Sequence, residues 1–336
     1  MFSSNSGCRW ACYGWKLGRT LYMENDLIRI GILVDKGTDI VEFLYKSQDI
    51  DFMWRSPFPL YAQGFPETIH GKLGKFIDYY PGGWQEVFPN AGKPCEYKGA
   101  DLGLHGEVAT LPWDYRILED SGSRLSIEFS VRTLRTPFAI KKTLSLTAGN
   151  PELEISEAVT NEAGEEMDFA WGHHPAFGAP FLGPDCKIRI KKADVQIAPG
   201  DGYSITNLKQ GAGKWPLVEG IDGKMVDISQ VPEPFAKVSD VMFLSNLDEG
   251  VYEIVSKKHG LGFRLEFPVK VFKYIWIWRI AHGSFHYPWY GRTYNLALEP
   301  FSCRAPLAQA IKNKDQHTLP PGGTLKAEIK ALIIKV

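Results

Sequence analysis

The sequence predicts an all-β protein, built as one large antiparallel β-sandwich with few short helices. Three observations support this prediction: alternating apolar and polar segments recur along the chain, turn-forming clusters separate them, and helical periodicity is scarce. Successive residues of a strand point to opposite faces of a sheet, so this alternation is typical of strands with one buried face. Many such strands with little helix favour a sandwich over a parallel α/β sheet.

Ten segments carry the strand pattern most clearly. They are residues 27–34, 40–45, 124–131, 139–146, 152–160, 186–190, 250–256, 262–267, 274–280 and 325–336. Clusters of Gly, Pro, Asn and Asp separate them, as at 148–151 and 320–323. One short helix is predicted at 305–313. Residues 61–94 are irregular and rich in Gly and Pro, a pattern that in compact β proteins often lines a binding site.

Composition limits the class of protein. Hydrophobic residues make up 44% of the 336 residues and charged residues 23%, which is ordinary for a chain that buries a full core. This length could hold one large β domain or two ordinary ones. The net charge is −1 and no basic face is evident, so a nucleic-acid partner is not expected.

Cysteine usage and the N-terminal sequence bear on the compartment. An odd number of cysteines, five, predicts free thiols in a reducing environment rather than a disulfide framework. The first residues lack a basic region followed by an apolar run, so no signal peptide is expected. No apolar stretch is long enough to span a bilayer, so no membrane association is expected. Together these features predict a cytoplasmic protein.

Three short segments place ionisable residues beside glycine, proline or aromatic residues: LHGE at 104–107, WGHHPAF at 171–177 and LALEPF at 296–301. Glu299 follows apolar strand residues, and carboxylates are rarely buried unless they are paired or functional. Taken alone, Glu299 is better explained as a salt-bridged residue at a strand end, and His105 as a core histidine. His173 and His174 could form a metal pair, but adjacent residues on a strand point to opposite faces.

In this order and spacing the motifs resemble the aldose 1-epimerase (galactose mutarotase-like) family over nearly the whole chain. The matching segments are LIRIGILVDKGTDIVEFLYK, DFMW, GGW, FPN, LGLHGEVATLPW, GHHPAFG, SDVMFLSNL, YIWIWRI, LALEPFS and LPPGGTL. The resemblance implies one galactose mutarotase-like supersandwich domain over residues 1–336, with residues 1–20 as an irregular extension. It also implies a small-molecule sugar as the partner, with no cofactor and no metal.

The resemblance assigns roles to single residues. The histidine of the family's second motif precedes a phenylalanine by three positions, which matches His174 with Phe177 and makes His174 the general acid at the ring oxygen. Glu299 matches the family's general base. His105 matches a histidine that contacts the sugar, and Asp240 in SDVMFLSNL matches an aspartate that binds ring hydroxyls.

One departure from the family affects the substrate. Many mutarotases carry an arginine in a Gly-Arg turn upstream of the first histidine, where this chain reads FPNAGKPCEYKG. Lys93 could replace that arginine, Asn90 could reach the sugar, or an arginine could come from elsewhere in the chain. Arg279 and Arg292 could meet an anionic substituent.

Aromatic residues are candidates for stacking on the faces of a sugar ring. The candidates are Trp84, Trp171, Trp278 and Trp289, and Trp84 is preferred because it lies in a Gly-Gly-Trp loop. Core packing explains Trp171 and Trp278 equally well, because both lie in apolar strands. The aromatic loop at 284–292 precedes the strand of Glu299 and could close over the site.

The predicted reaction opens and closes a sugar ring. A base removes the proton of the C1 hydroxyl while an acid protonates the ring oxygen, and the roles reverse when the ring closes on the other face. We expect Glu299 to be ionised and His174 to hold a proton near neutral pH.

Three other functions remain open on the sequence. An epimerase of a phosphorylated or sulfonated hexose needs two or more cations around the anion, for which Lys93, Arg279, Arg292 and Arg304 are candidates. A non-catalytic sugar-binding protein would have no need of an acid–base pair. Polysaccharide lyases and glycosidases also occur on related sandwiches, and fold does not fix function.

Overall fold

The computed structural model describes residues 7–15, 18–57 and 74–336, and it confirms the all-β prediction. The strands, numbered in chain order, are β1 (Arg9–Trp15), β2 (Gly18–Glu24), β3 (Ile28–Leu33), β4 (Asp39–Tyr45), β5 (Ile50–Asp51), β6 (Trp84–Val87), β7 (Cys95–Tyr97), β8 (Ala100–Leu102), β9 (Asp114–Asp120), β10 (Arg124–Arg132), β11 (Phe138–Thr147), β12 (Glu152–Asn161), β13 (Met167–Phe169), β14 (Gly172–Phe177), β15 (Cys186–Arg189), β16 (Asp194–Ile197), β17 (Gly211–Lys214), β18 (Leu217–Glu219), β19 (Met225–Asp227), β20 (Val238–Ser245), β21 (Val251–Ser256), β22 (Leu261–Glu266), β23 (Tyr274–Ala281), β24 (Tyr294–Phe301), β25 (His317–Leu319) and β26 (Thr324–Lys335).

Helices are few and short in the described residues. They are α1 (Gly74–Asp78), α2 (Leu307–Asn313) and one 3₁₀ turn (Val108–Thr110). The predicted helix at 305–313 is therefore confirmed, but it starts two residues later, after Pro306, which has extended backbone angles. None of these helices has the length and apolar character needed to cross a membrane.

Two antiparallel sheets form the layers of the sandwich. In the described residues, the larger sheet has the order β1-β2-β3-β4-β6-β14-β24-β23-β20-β16-β17, with β5 paired to β4. The smaller sheet has the order β15-β21-β22-β26-β12-β11-β10-β9. All ten predicted strands are present, and their ends fall within one residue of the predicted ends.

The main core lies between the inner faces of the two sheets. On β12, for example, Leu153, Ile155 and Val159 are buried at alternating positions and belong to this core. Burying side chains of this size contributes roughly 1.5–3 kcal/mol each, so the alternation that predicts the strands also drives the two layers together.

The N-terminal residues differ from the prediction. Residues 1–20 were expected to be an irregular extension, but Arg9–Trp15 forms an edge strand and Gly18 begins the next one. β1 pairs with β2 along its length, and the Arg9 guanidinium lies 2.7 Å from the Glu24 carboxylate. An edge strand that is only half buried lacks clear alternation, which explains why the sequence pattern misses it. Residues 1–6 and 16–17 lie outside the described residues.

The cysteines agree with the expectation from their number. All five are free thiols, and burial raises the pKa of Cys186 and Cys303 to about 11. Thiols with such pKa values stay protonated at neutral pH and behave as small apolar side chains.

Candidate active site

A row of side chains crosses the larger sheet on the face away from the core. The pairing of β14 with β24 places His174 opposite Glu299. On either side, Gln85 of β6 pairs with His174, and Trp276 of β23 pairs with Glu299. Cross-strand partners share one face of a sheet, so these four side chains lie together. Leu298, the neighbour of Glu299, points the other way into the main core.

Three members of this row, His174, Trp276 and Glu299, form the floor of a cavity of about 240 Å³. The lining residues are Phe76, Ile77, Tyr80, Gly92, Lys93, Leu104, His105, His174, Val241, Trp276, Ile277, Trp278, Trp289 and Glu299. The volume is somewhat below the range of roughly 300–1,000 Å³ that is usual for pockets of drug-sized ligands. The cavity therefore suits a compact ligand, with apolar walls and a few polar groups concentrated on its floor.

His174 and Glu299 face each other on the cavity floor. The Nε2 atom of His174 lies 3.4 Å from Oε1 of Glu299, and the two residues are only 6% and 2% exposed. The second carboxyl oxygen, Oε2, is buried and has no hydrogen-bond partner. Buried carboxyl oxygens are normally satisfied, so this oxygen is free to bind a ligand group that enters the cavity.

The protonation states of this pair differ from the expectation. Burial raises the pKa of Glu299 well above its usual value, and burial lowers the pKa of His174 to about 4. An ionised Glu299 beside a protonated His174 was expected from the sequence. Desolvation disfavours both charges, so the shared proton lies on Glu299 and the imidazole of His174 is neutral.

His105 reaches the cavity through an unusual backbone conformation. Its φ of 57° lies in the left-handed region, and its ring centroid lies 5.4 Å from that of His174. Burial and the neighbouring His174 hold the pKa of His105 well below its usual value, so its imidazole is neutral. Nδ1 accepts a hydrogen bond from the backbone N–H of Gly92 at 3.2 Å, which places the proton of His105 on Nε2.

Gly106 makes this turn possible, and its replacement gives a testable prediction. A Cβ atom at this position would lie 2.2 Å from the carbonyl oxygen of Phe88, and φ is +75°. We expect Gly106→Ala to lower the free energy of unfolding by more than about 1 kcal/mol. The matched control is Gly149→Ala, where φ is +73° but no atom lies within 4 Å of the added Cβ. Urea unfolding would contradict this account if the two variants lost equal stability.

Aromatic rings form most of the cavity wall. Trp278 and Trp289 lie 5.1 Å apart between ring centroids, and Tyr80 packs against both. Trp289 belongs to the loop at 282–293, whose Tyr287 hydroxyl donates a hydrogen bond to Asp78 at the end of α1. This contact ties the aromatic loop to α1 across the cavity. Trp278 and Lys93, both predicted site residues, are part of the lining.

Trp84 does not reach the cavity. It pairs with Pro175, one residue out of step with His174, and therefore points to the inner face of the sheet. Its indole N–H donates a hydrogen bond to Nδ1 of His173 at 3.2 Å. The predicted stacking of Trp84 on a sugar is thus not compatible with its position in the core.

Asp240 and Arg279 also lie on the inner face. They pair across β20 and β23, and a guanidinium nitrogen lies 2.6 Å from the carboxylate. The hydroxyl of Thr206 donates a further hydrogen bond to Asp240. Val241, the next residue, is the one that lines the cavity. The expected contact of Asp240 and Arg279 with the ligand is therefore corrected to a buried structural ion pair.

The side-chain amide of Asn90 forms its hydrogen bonds with the surrounding backbone. Its amide nitrogen donates to the carbonyl oxygens of Lys93 and Gly103, and its side-chain oxygen accepts from the N–H of Leu307. The side chain is completely buried and is not part of the cavity lining. Asn90 therefore holds the loop that presents Lys93 and does not itself reach a ligand.

A buried charged cluster lies behind β14, between the two sheets. His173 points there, as expected for the neighbour of His174, and its Nε2 lies 3.0 Å from a carboxyl oxygen of Glu157. Glu86 accepts hydrogen bonds from Lys142 at 3.1 Å and from the indole of Trp171 at 2.5 Å. β6, β11, β12 and β14 contribute these side chains, so the cluster connects the two sheets at the strand that bears His174.

The same cluster is the one group among the described residues whose geometry could hold a metal ion. Ligand atoms of Glu86, Glu157 and His173 lie within 4.8 Å of one another. Burial and the negative charge of Glu86 raise the pKa of Glu157 to about 7, so a proton can occupy it. Trp84 donates a hydrogen bond to Nδ1 of His173, so this nitrogen carries no proton. Burial lowers the pKa of His173, but Glu157 and Glu86 outweigh this effect and raise it. Lys142 already places a positively charged group beside Glu86 in this cluster.

Several cavity residues were not predicted from the sequence. Tyr80 and Phe76 belong to the segment at 61–94 that has no periodic pattern, and residues 61–73 of that segment lie outside the described residues. Trp276 could have been found, because it stands two positions before Trp278 and residues i and i+2 of a strand share a face.

The sheets and the cavity together define a galactose mutarotase-like β-sandwich. A candidate aldose 1-epimerase from Klebsiella pneumoniae superimposes with a TM-score of 0.75 at 16% identity, over 98% of this chain and 88% of that chain. A galactose mutarotase-like protein from Clostridium acetobutylicum gives 0.67 at 14% identity, over 98% and 99%. The Slr1438 protein from Synechocystis gives 0.64 at 16% identity and covers both chains completely. These similarities establish the fold.

The chain belongs to the family described as Domain of unknown function (DUF4432), which matches residues 18–333. No curated protein matches the sequence.

Proposed function

We propose that this protein is an aldose 1-epimerase that interconverts the α and β anomers of a hexose by opening and closing the ring. The observation that carries this proposal is the pair of His174 and Glu299. The two groups face each other at 3.4 Å on the floor of one cavity, and one oxygen of Glu299 has no partner. An acid and a base at this distance can serve two oxygen atoms that are bonded to the same carbon, as in a cyclic sugar.

The reaction requires one proton to be passed along the pair. Transfer of the Glu299 proton to His174 gives a carboxylate beside an imidazolium, and a sugar hydroxyl that donates to the carboxylate stabilises this form. Glu299 then removes the proton of the C1 hydroxyl, and His174 protonates the ring oxygen as its bond to C1 breaks. After rotation about the C1–C2 bond, the reverse transfers close the ring on the other face. No atom or electron is gained or lost overall.

The other lining residues would hold the sugar in place. Nε2–H of His105 is a hydrogen-bond donor beside the pair, and Trp276, Trp278 and Trp289 offer faces for the C–H groups of a pyranose. Lys93 stands at the rim. The cavity volume matches one sugar ring rather than a chain of several.

The competing functions fit the cavity less well. Lys93 is the one cation among the described lining residues, whereas a phosphate or sulfonate is usually held by several. Glu299 is the one carboxylate in that lining, whereas most glycosidases use two carboxylates on either side of the bond they cleave. A passive sugar-binding site would not require an acid–base pair. These points favour the epimerase of a free aldose.

Polarimetry of freshly dissolved sugars tests the proposal. The intact protein would be added to a panel of neutral, phosphorylated and sulfonated aldoses, and the approach to the equilibrium rotation would be followed. We expect acceleration for at least one neutral aldose. A panel in which every sugar equilibrates at its uncatalysed rate would refute the proposal, and acceleration confined to the anionic sugars would identify the alternative substrate class.

The pH profile of the catalysed rate gives a further prediction. Below a pH of about 4, His174 gains a proton while Glu299 keeps its own, so no base remains and the rate falls. Above the raised pKa of Glu299, the pair loses the proton it must pass, so the rate falls again. We therefore expect activity to persist at pH 5 after subtraction of the uncatalysed rate. A decline that already begins near pH 6.5 would show that His174 titrates like an exposed histidine.

A further inference from the structure

Tyr80 is held rigidly beside the catalytic pair. Its ring stacks on Phe76 at 5.4 Å between centroids and packs against Trp54 at 5.8 Å. Contacts with Trp278 and Trp289 complete an aromatic cage around it, and the residue is only 2% exposed. The position of the Tyr80 hydroxyl is therefore fixed by packing on several sides.

The hydroxyl of Tyr80 contacts the imidazole of His174 on the side away from Glu299. It lies 3.3 Å from Nδ1 of His174, the ring nitrogen that faces away from Glu299. Burial, with a smaller contribution from the nearby carboxyl groups of Glu299 and Asp39, raises the pKa of Tyr80 well above its usual value, so the phenol keeps its proton. A neutral phenol can either donate to Nδ1 or accept from it. The tautomer of His174 depends on which of these occurs.

The neighbouring carboxyl group selects between the two arrangements. When Glu299 carries a proton that points at Nε2, that nitrogen must accept, so the single proton of neutral His174 lies on Nδ1 and is donated to the Tyr80 oxygen. The same hydrogen bond persists when Nε2 takes the Glu299 proton and the imidazole becomes positively charged. The Tyr80 oxygen then stabilises the charged form, which is the acid that the reaction needs.

We propose that Tyr80 is a positioning residue that holds the Nδ1 proton of His174, so that Nε2 alone exchanges a proton with Glu299 and the sugar. This inference rests on the proposed epimerase activity for its kinetic consequences. The hydrogen bond itself and the tautomer it selects do not depend on which sugar is the substrate.

The kinetic test is Tyr80→Phe, which keeps the ring and removes the hydroxyl. We expect kcat to fall roughly ten- to a hundredfold, the effect of losing one hydrogen bond to a charged group, with little change in KM. The acid limb of the pH profile should move to lower pH, because the imidazolium loses its acceptor while Glu299 and His105 still face it. The matched control is Tyr252→Phe. The Tyr252 hydroxyl is also buried but, unlike that of Tyr80, it has no hydrogen-bond partner, so this variant should keep full activity.

A second measurement separates failure of this inference from failure of the proposed function. ¹⁵N chemical shifts of His174 report which ring nitrogen is protonated, whether or not any sugar is turned over. We expect the Nδ1–H form in the wild-type protein and a shift towards Nε2–H in Tyr80→Phe. Unchanged nitrogen shifts in Tyr80→Phe, or full kcat with an unmoved acid limb in an active enzyme, would overturn the role of Tyr80. An inactive wild-type protein that still shows the tautomer change would count against the epimerase alone.

Discussion

Replacement of Glu299 by Gln is expected to slow the catalysed interconversion of anomers by roughly 10²–10⁴-fold, the contribution of one positioned acid or base. The amide has nearly the shape of the carboxyl group but cannot pass a proton between His174 and the sugar. Burial of Glu299 is unfavourable for stability, because its carboxyl group is desolvated and one of its oxygens has no hydrogen-bond partner. The variant should therefore fold normally and be at least as stable as the wild type.

The control for this variant is Glu328→Gln, which changes an exposed carboxylate on the outer face of β26. It should retain the wild-type rate. The catalysed rate would be measured by polarimetry, with circular dichroism to confirm the fold. Retention of substantial activity by a folded Glu299→Gln variant would remove Glu299 from the mechanism.

Lys142→Ala is expected to have the largest effect on stability. It removes the ammonium group that lies 3.1 Å from Glu86 and leaves a buried carboxylate without its charged partner. Burial alone would raise the pKa of Glu86, but the charge of Lys142, the neighbouring His173 and the hydrogen bonds that Glu86 accepts lower it to about 2, which shows how strongly the ionised form depends on its partners. Breaking a buried pair in this way typically costs about 3–5 kcal/mol.

A surface ion pair provides the comparison for Lys142. Arg132 pairs with Glu162 at 2.9 Å, but its side chain is 76% exposed, so Arg132→Ala should leave the unfolding midpoint unchanged. Denaturant unfolding of both variants would test the difference. Equal stability of Lys142→Ala and the wild type would show that the cluster behind β14 does not hold the two sheets together.

The strands were predictable because burial of one face imposes alternation on the sequence. β10, β11 and β12 carry that pattern over nine or ten residues, and the predicted ends agree with the structure. β1 and the short strands have no such pattern, because β1 is half buried and the short strands contribute only two to four residues. Their positions depend on partners that are distant in the chain.

The candidate site was predictable only where the face of each strand could be inferred. Asp240 stands one position away from Val241, which lines the cavity, and Trp84 stands one position away from Gln85, the strand partner of His174. Since a shift of one residue moves a side chain to the other face, neither the motif that contains Asp240 nor the loop that contains Trp84 indicated the correct face of the sheet. His174 and Glu299 were predicted on the correct face, because β14 and β24 are neighbouring strands whose pairing places the two residues opposite each other.

Two further features of the site depend on the three-dimensional environment. Tyr80 lies in a segment with no periodicity, so nothing in the sequence connects it to His174. The direction of the pKa shifts follows from the burial of both His174 and Glu299, which a motif cannot report. Residue types therefore indicated acid–base chemistry, while the location of the proton required the structure.

Exchange spectroscopy by NMR gives the most direct test of the acid–base pair. An aldose that is labelled with ¹³C at C1 would be mixed with wild-type protein, Glu299→Gln, His174→Asn and the double variant. We predict rapid exchange between the α and β signals only with the wild type, and a double variant no slower than the slower single variant, because the two groups pass one proton as a unit. Uncatalysed exchange rates with the wild type for every aldose, or full catalysis by the double variant, would contradict the proposed chemistry.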